Sequence, residues 1–586
     1  MKPDSEGSFL SDFAPWLRQL RQRQGRLWLG ALLMLLTLAA AIGLLALSGW
    51  FITTTAIAGS LLAAGAAVSI DIYRPGGGIR FFAITRTAAR YGERLYNHDT
   101  VLRLLADLRA GLFAVLTRLD GRSLGRLRAA EWLNRLTADI DTLDSLYLRL
   151  LAPPLASLLA VCGIALLLWF FTPSIAAPTL MALLLTWLWL VLGQACLGMA
   201  ASRHRVAALD RLRSLTIEQL QGLAELRCYR TLGMHRQTLS GQEQDLYRDQ
   251  RRLGRLQALG NALVGLGVSM TAALTLWLGA SLYAANTLSG PLLVLMPLAV
   301  LAANEAMALL PPAFTQLGAT RAAAQRLNAL VASRSDIQEV ENPIILAKGA
   351  PRVALEGLSL RYPNASRFEN DHEAFAMENP LAPALDDVSF SIEPGERIAL
   401  VGASGSGKSS VAQLLVRLID PSAGRVCLNG RDARELSISS LRQGIGYLTQ
   451  HTELFHASLA TNLRIGNLKA GDDMLWEVLD VVDLKGWAQE LPLGLDTWVG
   501  ESGRQLSGGQ ARRVALARVL LTQADMMILD EPFTGLDEAT VLRIAERLDT
   551  WLEDRTVLYL NHDNRYLPGV SRTLSLRLGR IVSGAE

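Results

Sequence analysis

Gly402-Ala403-Ser404-Gly405-Ser406-Gly407-Lys408-Ser409 fits G-x-x-x-x-G-K-[ST], and this stretch decides how the rest of the chain reads. Upstream, Arg397 to Val401 (R-I-A-L-V) is a short apolar run of strand type, and downstream Ser410 to Leu418 has helical spacing. The spacing therefore predicts a strand, a glycine-rich loop and a helix. Such glycines let backbone N–H groups turn inward around phosphate oxygens at a helix N-terminus, where the helix dipole also favours an anion. Gly402, Ser404, Gly405, Ser406 and Gly407 would form the cradle, with Ser410 in the helical turn that follows. Lys408 would reach the β- and γ-phosphates, and Ser409 would offer its hydroxyl to Mg²⁺. A glycine- and serine-rich surface turn is the plain alternative.

A second stretch removes that alternative. Met526-Met527-Ile528-Leu529-Asp530-Glu531 is an apolar strand ending in two carboxylates. Asp530 suits Mg²⁺ coordination, and Glu531 suits polarising an attacking water. An acidic pair at a strand end is commonplace by itself; beside a phosphate loop it becomes specific. Leu506-Ser507-Gly508-Gly509-Gln510 precedes a helix carrying Arg512 and Arg513, and its small residues would again offer N–H groups to a phosphate.

Working outward, half of the 586 residues are hydrophobic, and the mean hydropathy is positive. The apolar residues concentrate in blocks before about residue 315. A spanning helix needs about 20 apolar residues. Leu27 to Trp50 satisfies this, and Phe51 to Ile70 reads as the start of a return span, interrupted by Asp71, Arg74 and Gly76-Gly77-Gly78 before Phe81 to Ala89. Leu150 to Phe171, Ala176 to Cys196, Leu259 to Tyr283 and Leu288 to Leu310 complete six expected spans. Arg18, Arg21, Arg23 and Arg26 precede the first span, and Arg203, Arg205, Arg211, Arg213, Arg251, Arg252 and Arg255 fill the connection 197–256. Both patterns place the N-terminus and the long connections in the cytoplasm. Trp16 with its arginines reads either as a short amphipathic helix or as a solvated leader. The opening residues are polar and Arg-rich, unlike a cleavable signal. The net charge of +3 is too small to argue for nucleic acid as a partner. Cys162, Cys196, Cys228 and Cys427 form no C-x-x-C pair, so neither a disulfide framework nor a zinc site is expected, and Cys162 and Cys196 read as helix-packing residues.

The expected organisation is a leader over 1–26, a six-helix membrane domain over 27–315, a linker over 316–350 and a nucleotide domain over 351–586. Residues 364–383 read as a polar surface insertion. The fold class is thus an α-helical membrane domain fused to an α/β P-loop domain.

Together these motifs resemble the ATP-binding cassette (ABC) family, whose signature is L-S-G-G-Q. The resemblance implies that Tyr362 stacks on adenine and that Gln450 is the Q-loop glutamine sensing Mg²⁺. It implies that Thr497 to Glu501 (T-W-V-G-E) is the exporters' cross-talk segment, that Gly535-Leu536-Asp537 is the D-loop, and that His562 is the switch histidine on the γ-phosphate. Leu506, Ser507, Gly508, Gly509, Gln510 and Asp537 would complete the ATP site of an opposite cassette, so the working unit is a dimer. Phe533 departs from the family, which usually has Thr there. Fusion to six spans resembles the exporter half-transporters of the type IV membrane fold, and Glu131 to Leu143 is similar to their segment after the first coupling helix.

Gly43 to Ile57, Ala83 to Asp99 and Asp139 to Pro153 resemble the CydC family in particular, one half of the bacterial CydDC complexes needed for cytochrome bd assembly. That resemblance implies an inner-membrane heterodimer with a CydD-like half-transporter. Its cargo would be cysteine and glutathione moved to the periplasm, or haem, which the family also binds or moves. The sequence leaves these open. His98 and Arg94 share a helix face at i, i+4; a neutral imidazole can ligate haem iron and a guanidinium can hold a propionate, and in the family a histidine and arginine at these positions are associated with haem. Arg90 lies a turn away, and Arg86 and Tyr91 are nearby; such arginines also snorkel to lipid phosphates. Glu305 sits inside the sixth apolar block, where an ionisable residue is a functional candidate. It would contact a cargo amine or pair with an arginine such as Arg80. A lipid or peptide exporter half and a haem-sensing regulatory subunit with weak ATPase are the rival readings. ATP, Mg²⁺ and haem are the small molecules implied.

Overall fold

No proline and no charge occurs between Leu27 and Ala63, so nothing in that stretch stops a helix. In the computed structural model, which describes residues 9–21, 23–67, 69–125, 129–333, 335–362, 383–451, 453–499 and 506–582, it forms part of one 40-residue helix, Gln24–Ala63. Two compact units emerge. One holds residues up to 118 and 125–334; the other holds 119–124 and the chain from 335 onward.

The first unit is helical. Helix α1 is Phe9–Arg21, α2 Gln24–Ala63 and α3 Tyr73–Leu116. Helix α4 is Glu131–Phe171, α5 Pro173–Gln221, α6 Leu232–Ala284 and α7 Gly290–Thr315. Helix α8 is Leu317–Ala332. Among the described residues, α2, α4, α5, α6 and α7 are the five helices long and apolar enough to cross a membrane. The return span expected from Phe51 is corrected here: Phe51 to Ala63 extends α2, and the chain returns as α3. Asp71 sets that start by accepting hydrogen bonds from the N–H groups of Tyr73 and Arg74. Helix α3 lacks the hydropathy of its neighbours because Arg74, Arg80, Arg86, Arg90 and Arg94 lie along it. It nonetheless packs on α2. A Cβ at Gly43 of α2 would meet the Phe82 ring at 2.7 Å, so glycine permits that approach.

Polar side chains tie these helices one pair at a time. Thr179 of α5 and Thr275 of α6 bond at 3.2 Å. Gln194 of α5 accepts from Thr315 Oγ1 at 2.8 Å and donates to the Leu256 carbonyl at 3.2 Å. Helix α1 buries Phe13, Trp16 and Leu20, and packs on α8. There Asp12 accepts from Arg321 at 2.7 Å and from Gln325 at 3.0 Å. The described part of the N-terminal segment is thus a docked helix rather than a solvated leader.

The second unit holds two sheets. One is antiparallel with order β2-β1-β4-β5, where β1 is Val353–Leu360, β2 Leu385–Ile392, β4 Ala423–Leu428 and β5 Arg431–Asp432. The other has order β12-β11-β3-β10-β9-β6, with β3 Arg397–Val401, β6 Ile445–Leu448, β9 Met526–Asp530, β10 Thr556–Asn561, β11 Arg572–Arg577 and β12 Arg580–Val582. All its pairings are parallel except β11 with β12. Strand β9 is buried at every residue and reads as a continuous apolar run, as a parallel strand covered on both faces should. Strand β10 runs between β3 and β9, pairing Asn561 with Val401 and Leu560 with Asp530. The ends of β3 and β9 therefore open onto the same carboxyl edge, where open α/β sheets place their ligands. Strands β7 (Ala457–Ser458) and β8 (Trp498–Val499) form a separate pair. The insertion read at 364–383, apart from Pro383, lies outside the described residues, as do Gly500 and Glu501 of T-W-V-G-E.

Candidate functional site

The loop after β3 folds as its glycines require. Gly405 and Gly407 take φ of +77° and +109°, in the left-handed region open to glycine. A Cβ at Gly407 would lie 2.5 Å from the Ala384 carbonyl oxygen, so no other residue fits there. Helix α9, Lys408–Leu415, starts at once. Lys408 Nζ donates to the carbonyls of Gly402 at 2.6 Å and Ala403 at 3.0 Å, folding over the loop it follows. Burial pushes its ammonium below the ordinary lysine value, against the pull of Glu531 and Asp530.

Ser409 Oγ donates to Asp530 Oδ2 at 2.7 Å. Asp530 is 1% exposed, and burial pushes its carboxyl above the usual carboxylate range despite that hydrogen bond. Its Oδ1 is buried with no protein partner among the described residues. A hydroxyl and a carboxylate that keeps one orphaned acceptor oxygen, meeting at one point, suit a hard divalent cation. Ser409 and Asp530 therefore fit Mg²⁺, and Gln450 lines the same cavity.

Glu531 follows with φ +47°, its N–H held by the Leu560 carbonyl at 2.8 Å. One carboxylate oxygen accepts from Thr534 Oγ1 at 3.2 Å, and the other lies 3.0 Å from His562 Nε2. A cavity of about 320 Å³ lies over these groups, lined by Tyr362, Ser404, Gly405, Lys408, Ser409, Ser410, Gln450 and Glu531 among others. Tyr362 stands at its rim, its hydroxyl 3.0 Å from Ser410 Oγ. Ser406 lies within the same loop, its Oγ buried without a partner among the described residues.

Arg512, on helix α10 (Gly508–Leu521), is the residue that the motifs leave without a role. Only 5% exposed, it donates to the backbone carbonyls of Thr449, Gln450, Asp530 and Glu531. One guanidinium thus ties the backbone at Thr449 and Gln450 to both carboxylate positions. Its legible signal was an arginine two residues beyond the G-G-Q run, in a helix whose following positions from Val514 are mostly apolar.

Leu506 to Gln510 do not line that cavity. Ser507 caps α10: its hydroxyl accepts from the Gln510 N–H while the Gln510 side chain accepts from the Ser507 N–H. Gly508 opens the helix, and Gly509 touches the segment before helix α11, Glu538–Trp551. A Cβ at Gly509 would meet Leu536 Cδ2 at 2.9 Å and the Gly535 carbonyl oxygen at 3.1 Å. Asp537 caps α11 by accepting from the Thr540 N–H at 3.0 Å, and that bonding holds its carboxyl below the usual range.

In the helical unit, Glu305 of α7 does pair with arginine, with Arg86 at 2.7 Å and Arg90 at 3.1 Å, both on α3, rather than with Arg80, the example named from sequence. The arginine sets were equivalent by sequence, and the packing of α3 selects these two. His98 and Arg94 lie exposed farther along α3. All four cysteines are free, and Cys162 and Cys196 are exposed rather than packed inside.

Comparison with known proteins agrees with this arrangement. The ABC transporter family model matches residues 385–534, and that of the ABC transporter transmembrane region matches 30–302. The chain is similar to the glutathione/L-cysteine transport system ATP-binding/permease protein CydC of Escherichia coli (strain K12), 35% identical over 97% of this chain and 95% of that protein. It is 27% identical to the corresponding CydD of Bacillus subtilis (strain 168), over 85% of this chain and 83% of that protein. The structure of a bacterial Atm1-family ABC exporter with ATP bound shares the fold, with a TM-score of 0.79 at 19% identity over 95% of both chains.

Proposed function

This chain belongs to the ABC transporter family as an exporter-type half-transporter of the CydC kind, an ATPase coupled to transport, and from that premise we propose its place in a complex and its cargo. It is one half of a heterodimer with a CydD-like half-transporter in a bacterial inner membrane, with the N-terminus and the nucleotide unit in the cytoplasm. Its membrane domain is 27–315 and its nucleotide domain 351–586, and the connection 316–350 begins as helix α8 of the helical unit. The cargo is a thiol, cysteine or glutathione, moved to the periplasm, and the complex serves cytochrome bd assembly. Haem is the second cargo, with His98 toward iron and Arg94 toward a propionate.

The observation that carries the reading is the gathering of Lys408, Ser409, Gln450, Asp530, Glu531 and His562 about one cavity, with Leu506 to Gln510 outside it. A cassette so built holds half of two ATP sites. The loop Gly402 to Ser410 binds the phosphates through backbone N–H groups, and Lys408 leaves its carbonyl partners for the β- and γ-phosphate oxygens. Ser409, Gln450 and Asp530 hold Mg²⁺, which when bound neutralises charge developing on the phosphates. Glu531 orients the attacking water and takes its proton. His562 holds the γ-phosphate oxygens, and Tyr362 stacks on adenine. Leu506, Ser507, Gly508, Gly509, Gln510 and Asp537 close over the partner's nucleotide. ATP closes the two cassettes, hydrolysis parts them, and the long helices beyond the spans transmit the motion.

The test is ATPase activity of this chain co-expressed with its CydD-like partner in lipid nanodiscs, titrated separately with glutathione, cysteine and haem. Stimulation by thiols in wild type and His98→Ala alike supports thiol cargo. Haem stimulation lost in His98→Ala supports haem with His98 as ligand. No response to any of the three overturns the cargo assignment.

A further inference from the structure

The group formed by Arg86, Glu305 and Arg90 sets two guanidinium charges against one carboxylate, a formal sum of +1 from two positive groups and one negative. Its two arms differ. Arg86 Nη2 donates a 2.7 Å hydrogen bond to Glu305 Oε2, whereas Arg90 makes a 3.1 Å ion contact with Oε1. Arg86 Nε is buried with no partner among the described residues. The Arg90 side chain is 44% exposed.

Depth makes this imbalance significant. Arg86 and Arg90 lie 13 and 17 residues past Tyr73, and Glu305 lies 15 past Gly290, the first residues of α3 and α7. At a rise of 1.5 Å per residue these positions are roughly 20–25 Å along their helices, and α7 is one of the helices long and apolar enough to cross a hydrocarbon layer about 30 Å thick. An unbalanced guanidinium there is too costly to face lipid and turns to water or protein. Arg94, exposed one turn beyond Arg90, extends the same stripe.

We infer that Arg90 receives a carboxylate of the cargo, with the Arg86–Glu305 pair as its anchored base. The entering carboxylate brings the group to neutrality, and a guanidinium matches its two oxygens in a fork. The ligand class is a small organic anion bearing a free carboxylate. Glutathione and the haem propionates share that chemistry. Before cargo enters, Glu305 keeps two arginines one turn apart from facing each other uncompensated. This inference rests on the transport reading above.

Equilibrium binding to the heterodimer in nanodiscs tests it with four ligands: glutathione, glutathione diethyl ester, haem and haem dimethyl ester. Wild type and Arg90→Gln are compared, the variant leaving the Arg86–Glu305 pair in place so that folding is spared. Arg90→Gln is expected to weaken the ligand that binds wild type at least tenfold. Esterifying that ligand is expected to cost a similar factor in wild type and little more in the variant, because both changes remove one contact. An ester that binds wild type as well as its acid, a variant within twofold of wild type, or two fully additive losses overturns the inference while the transport reading stands. If neither glutathione nor haem binds wild type, the cargo reading falls and takes this inference with it.

Discussion

The two units handle buried charge in opposite ways. In the nucleotide unit Lys408 and Glu531 line one cavity, Asp530 bonds to Ser409 of its lining, Arg512 bonds to the backbone of Gln450 and Glu531, and several of these partners are backbone carbonyls. In the helical unit polar side chains are dispersed as separate ties between helices: Asp12 with Arg321, Gln194 with Thr315, Glu305 with Arg86 and Arg90. Convergence concentrates field and geometry where a phosphate can enter. Dispersion orients long apolar helices against one another without a common centre. The teaching is that removing a charge from the first unit should damage turnover, whereas removing one from a closed tie of the second, such as Asp12 with Arg321, should damage stability.

The largest effect would come from Glu531→Gln. Turnover should fall by about 10² to 10⁴-fold, while the thermal midpoint stays near wild type and ATP still binds. Steady-state ATPase with parallel thermal denaturation measures both, and an equal loss in the two would break the contrast. Arg512→Ala should cost both turnover and stability, because four carbonyls around the site lose one donor. With a buried hydrogen bond to a charged group worth about 1.5–3 kcal/mol, a loss of about 3 kcal/mol is expected in chemical denaturation, and Arg512→Lys should not restore it. Asp12→Ala leaves Arg321, only 13% exposed, without its carboxylate. Here about 2–3 kcal/mol of stability should disappear, with the ATPase of the folded fraction within twofold of wild type. A larger ATPase loss would show that α1 and α8 take part in coupling. The smallest effect is Ser507→Ala, which removes the cap of α10 for about 1 kcal/mol. Double substitution with Arg512→Ala shows whether cap and carbonyl clamp act on α10 separately.

Legibility followed the same division. The nucleotide unit could be read because its site is carried by contiguous motifs: one stretch holds the phosphate loop, another the two carboxylates, and the parallel register of β3, β10 and β9 brings them together. What escaped was Arg512, whose partners are backbone groups that no side-chain pattern announces. In the helical unit hydropathy exposed five helices but misplaced the return after α2, because two of the arginines of α3 pair with a residue more than 200 positions away. Glu305 stood out for its depth; its partners did not, since only packing distinguishes Arg86 and Arg90 from Arg80. The docking of α1 was half visible as amphipathic spacing, while its seat on α8 was a tertiary fact.

The contact of Gly509 with Gly535 and Leu536 has a consequence for kinetics. A single added methyl group would displace the Leu536 side chain and press on the Gly535 carbonyl, so within one cassette the two segments lie in direct contact. In a two-cassette complex each segment would report on a nucleotide, and their contact would make the two occupancies interdependent. ATP dependence of turnover should then be sigmoidal, and Gly509→Ala should flatten it toward a hyperbola before it lowers the maximal rate.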